Sequence, residues 1–532
     1  MTADDTSTDV LVIGGGMAGA WAALGAARAG AQVTLVEKGY CGTSGVAAAA
    51  GPGHWWVPPQ ARAAAVRQRA LAGAGLADPA WMHRILDTTW TELPTIASHY
   101  EFAVGADGRP RYRSLRGPEY LRALRALVER AGVRVLDHSP ALELLRHGDG
   151  SIAGAAGLHL RARPGALAGG DWTLRAGAVI VASGGCAFLS KLLGADNNTG
   201  DGALMAAEAG AELSGMEFTN YYTVAPLHSS MTRSMSYVFA RYFDASGREL
   251  AIPAGPPGIA ALARALLAGP LWCALDRMPQ DLRDALPTIS PNVMLPFTRR
   301  GIDPFRERFQ VTLRGEGTVR GIGGLRVADA DCETTVRNLF VAGDAASREP
   351  VAGAVSGGGN INSAWALSSG LWAGRAAARR ALDEGRRAGA RVEALGQAGL
   401  RPGARAAPID RAAVVASVQR ATLDVERNLF RSGPALAQSL RELGSRWDEV
   451  AMHAQAGGRD RLRLREAAAL LANARWSVSA ALLRDESRGM HWRTDAPAPR
   501  PELAHRLTVG GLQTLWHRPE AVPTDESQES VA

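Results

Sequence analysis

The sequence predicts an α/β fold with several domains, and three observations support that prediction. The chain has 532 residues, and at roughly 100–200 residues per domain this length indicates two to four domains. Hydrophobic residues make up 46% of the chain and charged residues 21%, which is typical of a folded protein and excludes a disordered chain or a coiled coil. Near the N-terminus an apolar run, a glycine-rich turn and an alanine-rich segment follow one another, as in a strand–turn–helix unit.

The glycine-rich turn is a dinucleotide-binding motif. It reads Gly14-Gly15-Gly16-Met17-Ala18-Gly19 and lies between a predicted strand at 9–13 and a predicted helix at 20–29. Gly14 makes the tight turn, Gly16 lets the backbone approach a pyrophosphate at the helix N-terminus, and Gly19 lets helix and strand pack closely. A second strand, 32–36, ends at Glu37, whose carboxylate can accept both ribose hydroxyls of an adenosine. This acid favours FAD or NAD over NADP, because it would repel a 2′-phosphate.

Three later segments favour FAD. A predicted strand at 173–183 runs into Ala182-Ser183-Gly184-Gly185, and Asn198-Thr199-Gly200-Asp201-Gly202 opens a helix. A further strand ends at Gly343-Asp344, ahead of Gly357-Gly358-Gly359-Asn360-Ile361-Asn362-Ser363. In this combination and order they resemble the fumarate reductase/succinate dehydrogenase flavoprotein superfamily, which includes L-aspartate oxidase and the adenylylsulfate reductase flavoprotein. The resemblance covers 9–51, 180–218, 301–374 and, more loosely, 424–508.

The resemblance implies the order of the domains. A Rossmann-like FAD-binding domain, 1–222 and 319–383, is interrupted by an α+β capping domain at 223–318. A linker at 384–410, rich in Arg, Ala, Gly and Pro, leads to a helical C-terminal domain at 411–518. The polar residues 519–532 are expected to be disordered.

The resemblance also implies the residues that bind FAD. Glu37 binds the adenosine ribose and Asp344 the ribityl chain. Asn362 and Ser363 face the pyrimidine end of the flavin from a helix N-terminus, which stabilises negative charge on the reduced ring. The expected set is Gly14, Gly16, Ala18, Gly19, Glu37, Lys38, Thr43, Ser44, Gly45, Ala182, Ser183, Gly184, Asn198, Thr199, Asp201, Gly343, Asp344, Asn360, Asn362 and Ser363.

The mode of flavin attachment can be judged from one segment. Succinate dehydrogenases link FAD to a histidine in a Ser-His-Thr-Val-Ala-Ala run. The matching run here is Thr43-Ser44-Gly45-Val46-Ala47-Ala48, which offers no histidine. FAD is therefore expected to be bound non-covalently.

Four positions depart from the dicarboxylate chemistry of the family. The family's His-Pro-Thr becomes Tyr221-Tyr222-Thr223-Val224, and its His-Tyr-x-x-Gly-Gly becomes Val319-Arg320-Gly321-Ile322-Gly323-Gly324. Its Asn-Arg-x-Gly-Gly-Asn becomes Val355-Ser356-Gly357-Gly358-Gly359-Asn360, and no arginine stands between Arg248 and Arg264, where the capping arginine is expected. These departures predict an activity other than that of succinate dehydrogenase, fumarate reductase or L-aspartate oxidase, on a scaffold that is kept.

The replaced positions suggest a rebuilt substrate site. Tyr222 could donate a hydrogen bond or act as an acid, and Arg320 stands where a substrate-binding loop is expected. Arg299 could clamp an anion, and His228 is a candidate proton carrier. Each candidate also has a plainer interpretation: packing for Tyr222, solvated surface for Arg299, and a hydrogen-bonded loop for His228.

Two other motifs have a structural and a functional interpretation. The segment Glu486-Ser487-Arg488-Gly489-Met490-His491-Trp492-Arg493-Thr494-Asp495-Ala496-Pro497 closely resembles a family motif. We expect it to dock the helical domain, although Arg488 or His491 could instead reach the mouth of the active site. Trp55 and Trp56 could form a stacking wall over the flavin or a hydrophobic plug against the capping domain.

Charge and cysteine usage narrow the choice of partners and compartment. The net charge is +7, but 57 of the 59 basic residues are arginines scattered among acids, with no basic run that would indicate nucleic acid. The four cysteines, Cys41, Cys186, Cys273 and Cys332, stand far apart, so no cluster or metal site is expected in this chain. No export signal and no long apolar run is visible, so we expect a cytoplasmic protein.

The sequence leaves more than one function open. The leading hypothesis is an FAD-dependent oxidoreductase that moves a hydride between flavin N5 and a small organic substrate under a capping domain. An iron–sulfur or ferredoxin-like subunit could be its electron partner, as the resemblance implies, or O2 could reoxidise the flavin. The alternative is a flavin-binding protein without turnover.

Overall fold

A computed structural model describes residues 4–105, 107–113, 115–162, 167–232, 235–253, 255–289, 291–385 and 390–522. Within these ranges the chain forms three β-sheets surrounded by helices, and the predicted α/β class is confirmed. The helices are α1 (Met17–Arg28), α2 (Arg62–Ala72), α3 (Pro79–Glu92), α4 (Gly117–Arg130), α5 (Asp201–Glu208), α6 (Pro256–Ala268), α7 (Gln280–Ile289), α8 (Pro291–Thr298), α9 (Gly317–Arg320), α10 (Glu349–Ala352), α11 (Gly358–Glu384), α12 (Arg411–Thr422), α13 (Gly433–His453) and α14 (Asp460–Leu483). The strands are β1 (Asp4–Ile13), β2 (Val33–Val36), β3 (Arg134–Leu136), β4 (Ala141–His147), β5 (Ile152–Leu158), β6 (Asp171–Val181), β7 (Leu213–Ser214), β8 (Tyr222–Pro226), β9 (Arg241–Phe243), β10 (Glu249–Leu250), β11 (Leu271–Ala274), β12 (Phe309–Gly315), β13 (Gly324–Leu325), β14 (Leu339–Val341), β15 (Val392–Ala394), β16 (Arg506–Gly510) and β17 (Trp516–Glu520).

The largest sheet carries the dinucleotide-binding motif. Its order is β15-β4-β5-β6-β1-β2-β3, and β14 pairs with the C-terminal end of β6. Strands β6, β1, β2, β3 and β14 run parallel, whereas β4, β5 and β15 add an antiparallel extension. The apolar residues of β1 are fully buried, as expected for a strand covered on both faces. The carboxyl ends of these five parallel strands therefore meet at one edge of the sheet.

Two helices that lie far apart along the chain cross closely on this sheet. Helix α1 follows the first strand, and α11 lies 27 residues long against it. Glycines make the approach possible, because a Cβ at Gly370 would lie 2.5 Å from the carbonyl oxygen of Ala18 and one at Gly25 would lie 3.0 Å from that of Leu371. The two parts of the FAD-binding fold, separated along the chain, are thereby packed into one unit.

A second sheet covers the segment expected to form the cap. Its order is β10-β9-β11-β12-β8 and its pairs are antiparallel. The sheet has a hydrophobic core of its own, in which the rings of Phe297 and Phe309 pack edge to face at 4.7 Å. Strand β8 begins and β12 ends at the junction with the FAD-binding fold, so the sheet is attached through both strands.

The C-terminal part is helical, as predicted, but it ends in a β-hairpin. Strands β16 and β17 pair with each other, and β16 also pairs with β7 in a small sheet of order β13-β7-β16-β17. The hairpin satisfies the edge of β7, which would otherwise expose its backbone groups. Residues 519–520, expected to be disordered, belong to β17, and 523–532 lie outside the described residues. In the expected linker, β15 pairs with β4.

Among the described residues no helix is long and apolar enough to cross a membrane.

Candidate functional site

A cleft opens where the parallel strands end. Strands β1, β2, β6 and β14 are followed directly by Gly14, Glu37, Ala182 and Ala342, and the loops that begin there converge on one space. The cleft is partly open, and the empty space in it and in front of it, some of which is continuous with solvent, is about 1290 Å³. Ligands of open α/β sheets bind outside the carboxyl ends of the strands, so this cleft is where a dinucleotide is expected.

Most of the predicted cofactor residues line this cleft, and one predicted catalytic residue does as well. The lining residues from the predicted set are Gly14, Gly16, Ala18, Glu37, Lys38, Gly45, Ala182, Ser183, Gly184, Asn198, Asp201, Gly343, Asp344, Asn362, Ser363 and Arg320. Gly19, Thr43, Ser44, Thr199 and Asn360 do not line it but lie in the loops and helices that build its walls.

Those five residues shape the walls rather than face the cleft. A Cβ at Gly19 would overlap the carbonyl oxygen of Gly14. The Ser44 hydroxyl accepts a hydrogen bond from the Tyr40 amide at 3.0 Å, and the Thr43 hydroxyl donates to the Tyr40 carbonyl at 3.3 Å, so both close one loop. The carbonyl of Asn360 accepts the Trp55 amide at 3.1 Å.

The three motif glycines have different reasons to be glycine. Gly14 has φ +109°, a conformation that L side chains rarely adopt, and its Cβ would overlap Ala182. Gly19 is required by the contact just described. A Cβ at Gly16 would meet nothing closer than the Cα of Gly45 at 3.9 Å. The protein's own packing leaves this position open, so the missing side chain leaves room for a ligand in the cleft.

Glu37 is held by backbone amides. One carboxylate oxygen accepts from Gly15 and the other from Gly39, each at 2.6 Å. An ionised carboxylate offers about four acceptor sites, so it retains capacity for two ribose hydroxyls. Its side chain is buried at the end of β2, and the two amides fix its orientation toward the cleft.

Lys38 lies beside Glu37 in the same wall. Its Nζ donates to Thr199 Oγ1 at 3.1 Å, to Asp201 Oδ2 at 2.7 Å and to Glu466 Oε1 at 3.0 Å. The pKa of Lys38 is raised, because Asp201 and Glu466 outweigh the opposing effect of burial. The ammonium therefore stays charged in the cleft wall.

Asp344 is positioned by an arginine that the sequence did not single out. Arg348 is fully buried and pairs with Asp344 at 2.5 Å. The same guanidinium donates to the carbonyls of Thr318, at 2.7 Å, and Gly321. Burial lowers the pKa of Arg348. One side chain thus fixes both the acid expected to bind the ribityl chain and the loop that carries Arg320.

Two buried polar atoms in the lining have no protein partner. Ser183 Oγ and Asn362 Oδ1 are shielded from solvent and take part in no hydrogen bond within the described residues. Buried polar groups are normally paired. The open face at Gly16 and the acids Glu37 and Asp344 suit a dinucleotide, whose sugar hydroxyls can donate to the two carboxylates. The polar groups of such a ligand could also be hydrogen-bond partners for Ser183 Oγ and Asn362 Oδ1.

Arg320 stands where the cleft meets the capping sheet. Its Nε lies 3.7 Å from Glu316 Oε2, and its guanidinium carbon lies 5.8 Å from the ring centre of Tyr221. The Thr223 hydroxyl donates to the other Glu316 oxygen at 2.7 Å. Burial opposes the charge of Arg320, but Glu316 and Tyr221 raise its pKa. A charged, oriented guanidinium therefore faces the cofactor cleft.

The other predicted catalytic residues are not brought to the cleft. The Tyr222 hydroxyl accepts from Asn428 Nδ2 at 3.1 Å and its pKa is raised by burial, which indicates a packing role against the C-terminal part. His228 is exposed in the turn after β8, and Arg299 is exposed at the end of α8. None of the three lines the cleft, so in this structure they do not lie beside the space expected to hold the flavin.

Sequence reasoning missed Asn220. The side chain is buried, and neither Nδ2 nor Oδ1 has a partner in the described part of the chain. Asn220 lies two residues after Phe218. The Phe218 carbonyl accepts a hydrogen bond from the Ile322 amide at 2.9 Å, which places this segment beside the loop that carries Arg320. The only signal for Asn220 in the sequence is a polar residue directly before the replaced run Tyr221-Tyr222-Thr223-Val224.

The C-terminal motif and the paired tryptophans have structural surroundings. Arg488 pairs with Glu486 at 2.6 Å and donates to the carbonyl of Ala74, and His491 is fully buried with its Nδ1 2.7 Å from Arg431. Trp56 stacks on Trp90 at 4.3 Å. None of these side chains lines the cleft. Arg488 joins the C-terminal motif to the segment around Ala74, and Trp56 packs against α3 rather than against the capping sheet.

Comparisons with known proteins agree with this geometry. Three family descriptions match the chain: FAD dependent oxidoreductase at 9–105, FAD binding domain at 86–231 and fumarate reductase flavoprotein C-term at 420–515. L-aspartate oxidase of Streptomyces coelicolor is 28% identical over 92% of this chain and 89% of its own length. A fumarate reductase flavoprotein subunit of Mycobacterium tuberculosis is 27% identical over 68% of this chain and 67% of its own. These sequence matches support the resemblance of the chain to the fumarate reductase/succinate dehydrogenase flavoprotein superfamily.

Solved structures show the same fold in this superfamily. A quinol fumarate reductase of E. coli superposes with a TM-score of 0.80 at 19% identity over 98% of both chains. Adenylylsulfate reductase of Archaeoglobus fulgidus gives 0.76 at 18% identity over 98% of this chain and 97% of its own. This flavoprotein is therefore an FAD-dependent oxidoreductase, and its cleft has the residues and the space for FAD.

Proposed function

We propose that this flavoprotein transfers a hydride between flavin N5 and a small organic substrate held under the capping sheet, and that the substrate is neither succinate nor fumarate. The observation that carries the proposal is Arg320, a cation in the wall of the cofactor cleft at the junction with the cap. FAD supplies the two-electron chemistry when bound, and the chain supplies binding, orientation and charge.

Arg320 would bind an anionic or polar group of the substrate. A guanidinium can hold a carboxylate through two parallel hydrogen bonds. Glu316 and Thr223 orient it from the capping side, and Arg348 fixes the loop beneath it. The unpartnered amide of Asn220 is the second polar group we assign to the substrate, since it lies beside the same loop.

The cofactor residues would act as follows. Glu37 accepts the adenosine ribose hydroxyls, Lys38 and the open face of Gly16 accommodate the pyrophosphate, and Asp344 binds the ribityl chain. Asn362 and Ser363 would face the flavin at the start of α11. We propose non-covalent attachment, because the loop 43–48 contains no histidine.

The departure from dicarboxylate chemistry supports a different substrate. Valine stands at 319, where the resemblance expects a histidine, and Tyr222 stands at another such position. The structure packs Tyr222 against Asn428 instead of directing it into the cleft. Neither position offers a group that titrates near neutral pH, so carboxylate binding would fall to Arg320.

We further propose that the flavin exchanges electrons with a separate iron–sulfur or ferredoxin-like protein in the cytoplasm. The four cysteines are free and buried, and they are spread from 41 to 332. Any cluster would therefore belong to a partner. Anaerobic reduction followed by addition of either O2 or a ferredoxin distinguishes the two routes by the rate of return of flavin absorbance.

The test of the substrate site is anaerobic flavin bleaching by a panel of small hydroxy, amino and saturated carboxylates. We expect one of these compounds, but not succinate, to bleach the protein. Arg320→Gln should slow bleaching roughly 100-fold, the loss expected when a transition-state charge partner is removed, without loss of bound FAD. Arg299→Gln removes an exposed arginine and is the matched control. Bleaching by succinate at the same rate, or a fully active Arg320→Gln, would overturn the proposal.

A further inference from the structure

Lys38 is unusual in its own sequence. Of the 59 basic residues, only Lys38 and Lys191 are lysines. Arginine is the usual basic residue of this chain, so we look for the reason for a lysine in the cofactor cleft in its local structure. An ammonium is a compact charge with three donors, whereas a guanidinium is a planar fork with five.

The geometry supplies that reason. Three acceptors surround Lys38 Nζ at 2.7–3.1 Å, and they come from two elements: Thr199 and Asp201 at the start of α5, and Glu466 on α14. The number of acceptors equals the number of ammonium protons. The side chains of Lys38, Asp201 and Glu466 are each four-fifths buried or more, so a larger guanidinium would have to displace one of them.

Glu466 belongs to the contact between α14 and the FAD-binding fold. On the same helix, Asn473 Nδ2 donates to the carbonyl of Gly200 at 3.3 Å, and Arg465 pairs with Glu208 at the other end of α5. Lys38 and Asp201 line the cofactor cleft, whereas Glu466 lies behind them. The C-terminal part thus reaches the cleft wall through one carboxylate and one ammonium.

We propose that Glu466 is a positioning residue for Lys38, and that through this pair FAD binding and the docking of α14 stabilise each other. The proposal rests on the assignment of Lys38 to the cofactor. Coupling between two binding events is reciprocal: a helix α14 that holds Lys38 in place strengthens FAD binding, and bound FAD strengthens the docking of α14.

Two substitutions separate positioning from charge. Glu466→Gln keeps an acceptor for the ammonium, and Glu466→Leu removes it. We expect Glu466→Leu to weaken FAD binding about tenfold, within the usual range of site-to-site coupling, and Glu466→Gln to stay near the parent value. In a Lys38→Met background Glu466→Leu should have no further effect on FAD affinity. Asp460→Asn, on an exposed side chain of the same helix, is the control.

The two lysines provide a second readout. Acetic anhydride modifies amines, and mass spectrometry of the full chain reports Lys38 against the exposed Lys191 as an internal reference. FAD should slow acetylation of Lys38 relative to Lys191, and Glu466→Leu should speed it in the apoprotein.

The outcomes distinguish the inference from its basis. If FAD does not slow acetylation of Lys38, the assignment of Lys38 to the cofactor is wrong. If FAD protects Lys38 but Glu466→Leu changes neither FAD affinity nor the acetylation of the apoprotein, only the role of Glu466 is wrong. An equal effect of Glu466→Leu in the parent and the Lys38→Met background would also refute it, because the residue would then act without Lys38.

Discussion

Glu349 is expected to make the stability of this flavoprotein fall as pH rises. It is the first residue of α10 and is fully buried. Burial and the nearby carboxylate of Glu217 raise the pKa of Glu349 to about 8, although Arg506 and Arg484 oppose the shift. At pH 7 the folded protein therefore keeps a proton on this carboxyl, whereas the unfolded chain, with an ordinary pKa of 4.5, has lost it.

The magnitude follows from proton linkage. Between the two pKa values the folded state binds one more proton than the unfolded state, so the free energy of unfolding falls by about 1.4 kcal/mol per pH unit. From pH 5 to pH 8 this amounts to about 4 kcal/mol. Glu349→Gln replaces the carboxyl by a neutral amide of similar shape and removes the proton uptake. The variant should match the parent near pH 5 and be the more stable protein at pH 8.

The assay is thermal unfolding of both proteins, saturated with FAD, at half-unit steps of pH. An unfolding entropy of about 2.1 cal/mol/K per residue makes 1 kcal/mol worth about 1 °C for a chain of this size. The Tm difference should thus open by about 4 °C between pH 5 and pH 8. Glu101→Gln, on an exposed side chain, controls for surface charge. A Tm difference that does not change with pH, or a variant less stable than the parent at pH 8, would refute the reasoning.

Three further predictions concern the cleft and its neighbours. Gly16→Val should weaken FAD binding roughly 100-fold in a flavin fluorescence titration, because the valine side chain enters the space for the pyrophosphate. The apoprotein should keep its Tm, since no protein atom occupies that space. Unchanged FAD affinity would contradict this prediction. Arg348→Met should destabilise the protein by about 3–5 kcal/mol in denaturant unfolding, because it removes the buried cation that pairs with Asp344 and donates to three loop carbonyls; a loss below 1 kcal/mol contradicts this. Tyr222→Phe should cost about 1–2 kcal/mol of stability through two lost hydrogen bonds, from Asn428 and to the carbonyl of Asp424, and leave substrate-driven flavin bleaching within about twofold; a tenfold slower reaction would return Tyr222 to the list of catalytic residues.

Local steric requirements made the cofactor cleft predictable from sequence. Gly14 and Glu37 each follow a strand, and their roles depend on neighbours within one strand–turn–helix unit. The same holds for Ala182 and Gly343, which follow the ends of β6 and β14. Parallel strands place such residues at one edge whatever the rest of the chain does, so their convergence could be expected before the fold was known.

Contacts between distant segments were not predictable in this way. Tyr222 has a residue type that suits catalysis, but its hydrogen-bond partner Asn428 lies 206 positions later. Glu466 contacts Lys38 across 428 positions, and no periodicity in α14 marks it. Strand β16 was not predictable for a similar reason, since its partner β7 has only two residues. Whether a polar side chain has a structural or a catalytic role depends on contacts with residues far away in the sequence, and no local pattern reveals those contacts.

The close crossing of α1 and α11 has a consequence for folding during synthesis on the ribosome. The cofactor cleft, which begins at Gly14, can form completely only after β14 and Gly370 have been synthesised. At about 5–20 residues per second, this takes roughly 20–70 s after the first strand emerges. For most of that interval the C-terminal end of β6 lacks its neighbour β14, and α1 lacks its covering helix. Nascent chains stalled before Leu339 should therefore be unable to capture FAD, and cofactor loading becomes a late event in synthesis.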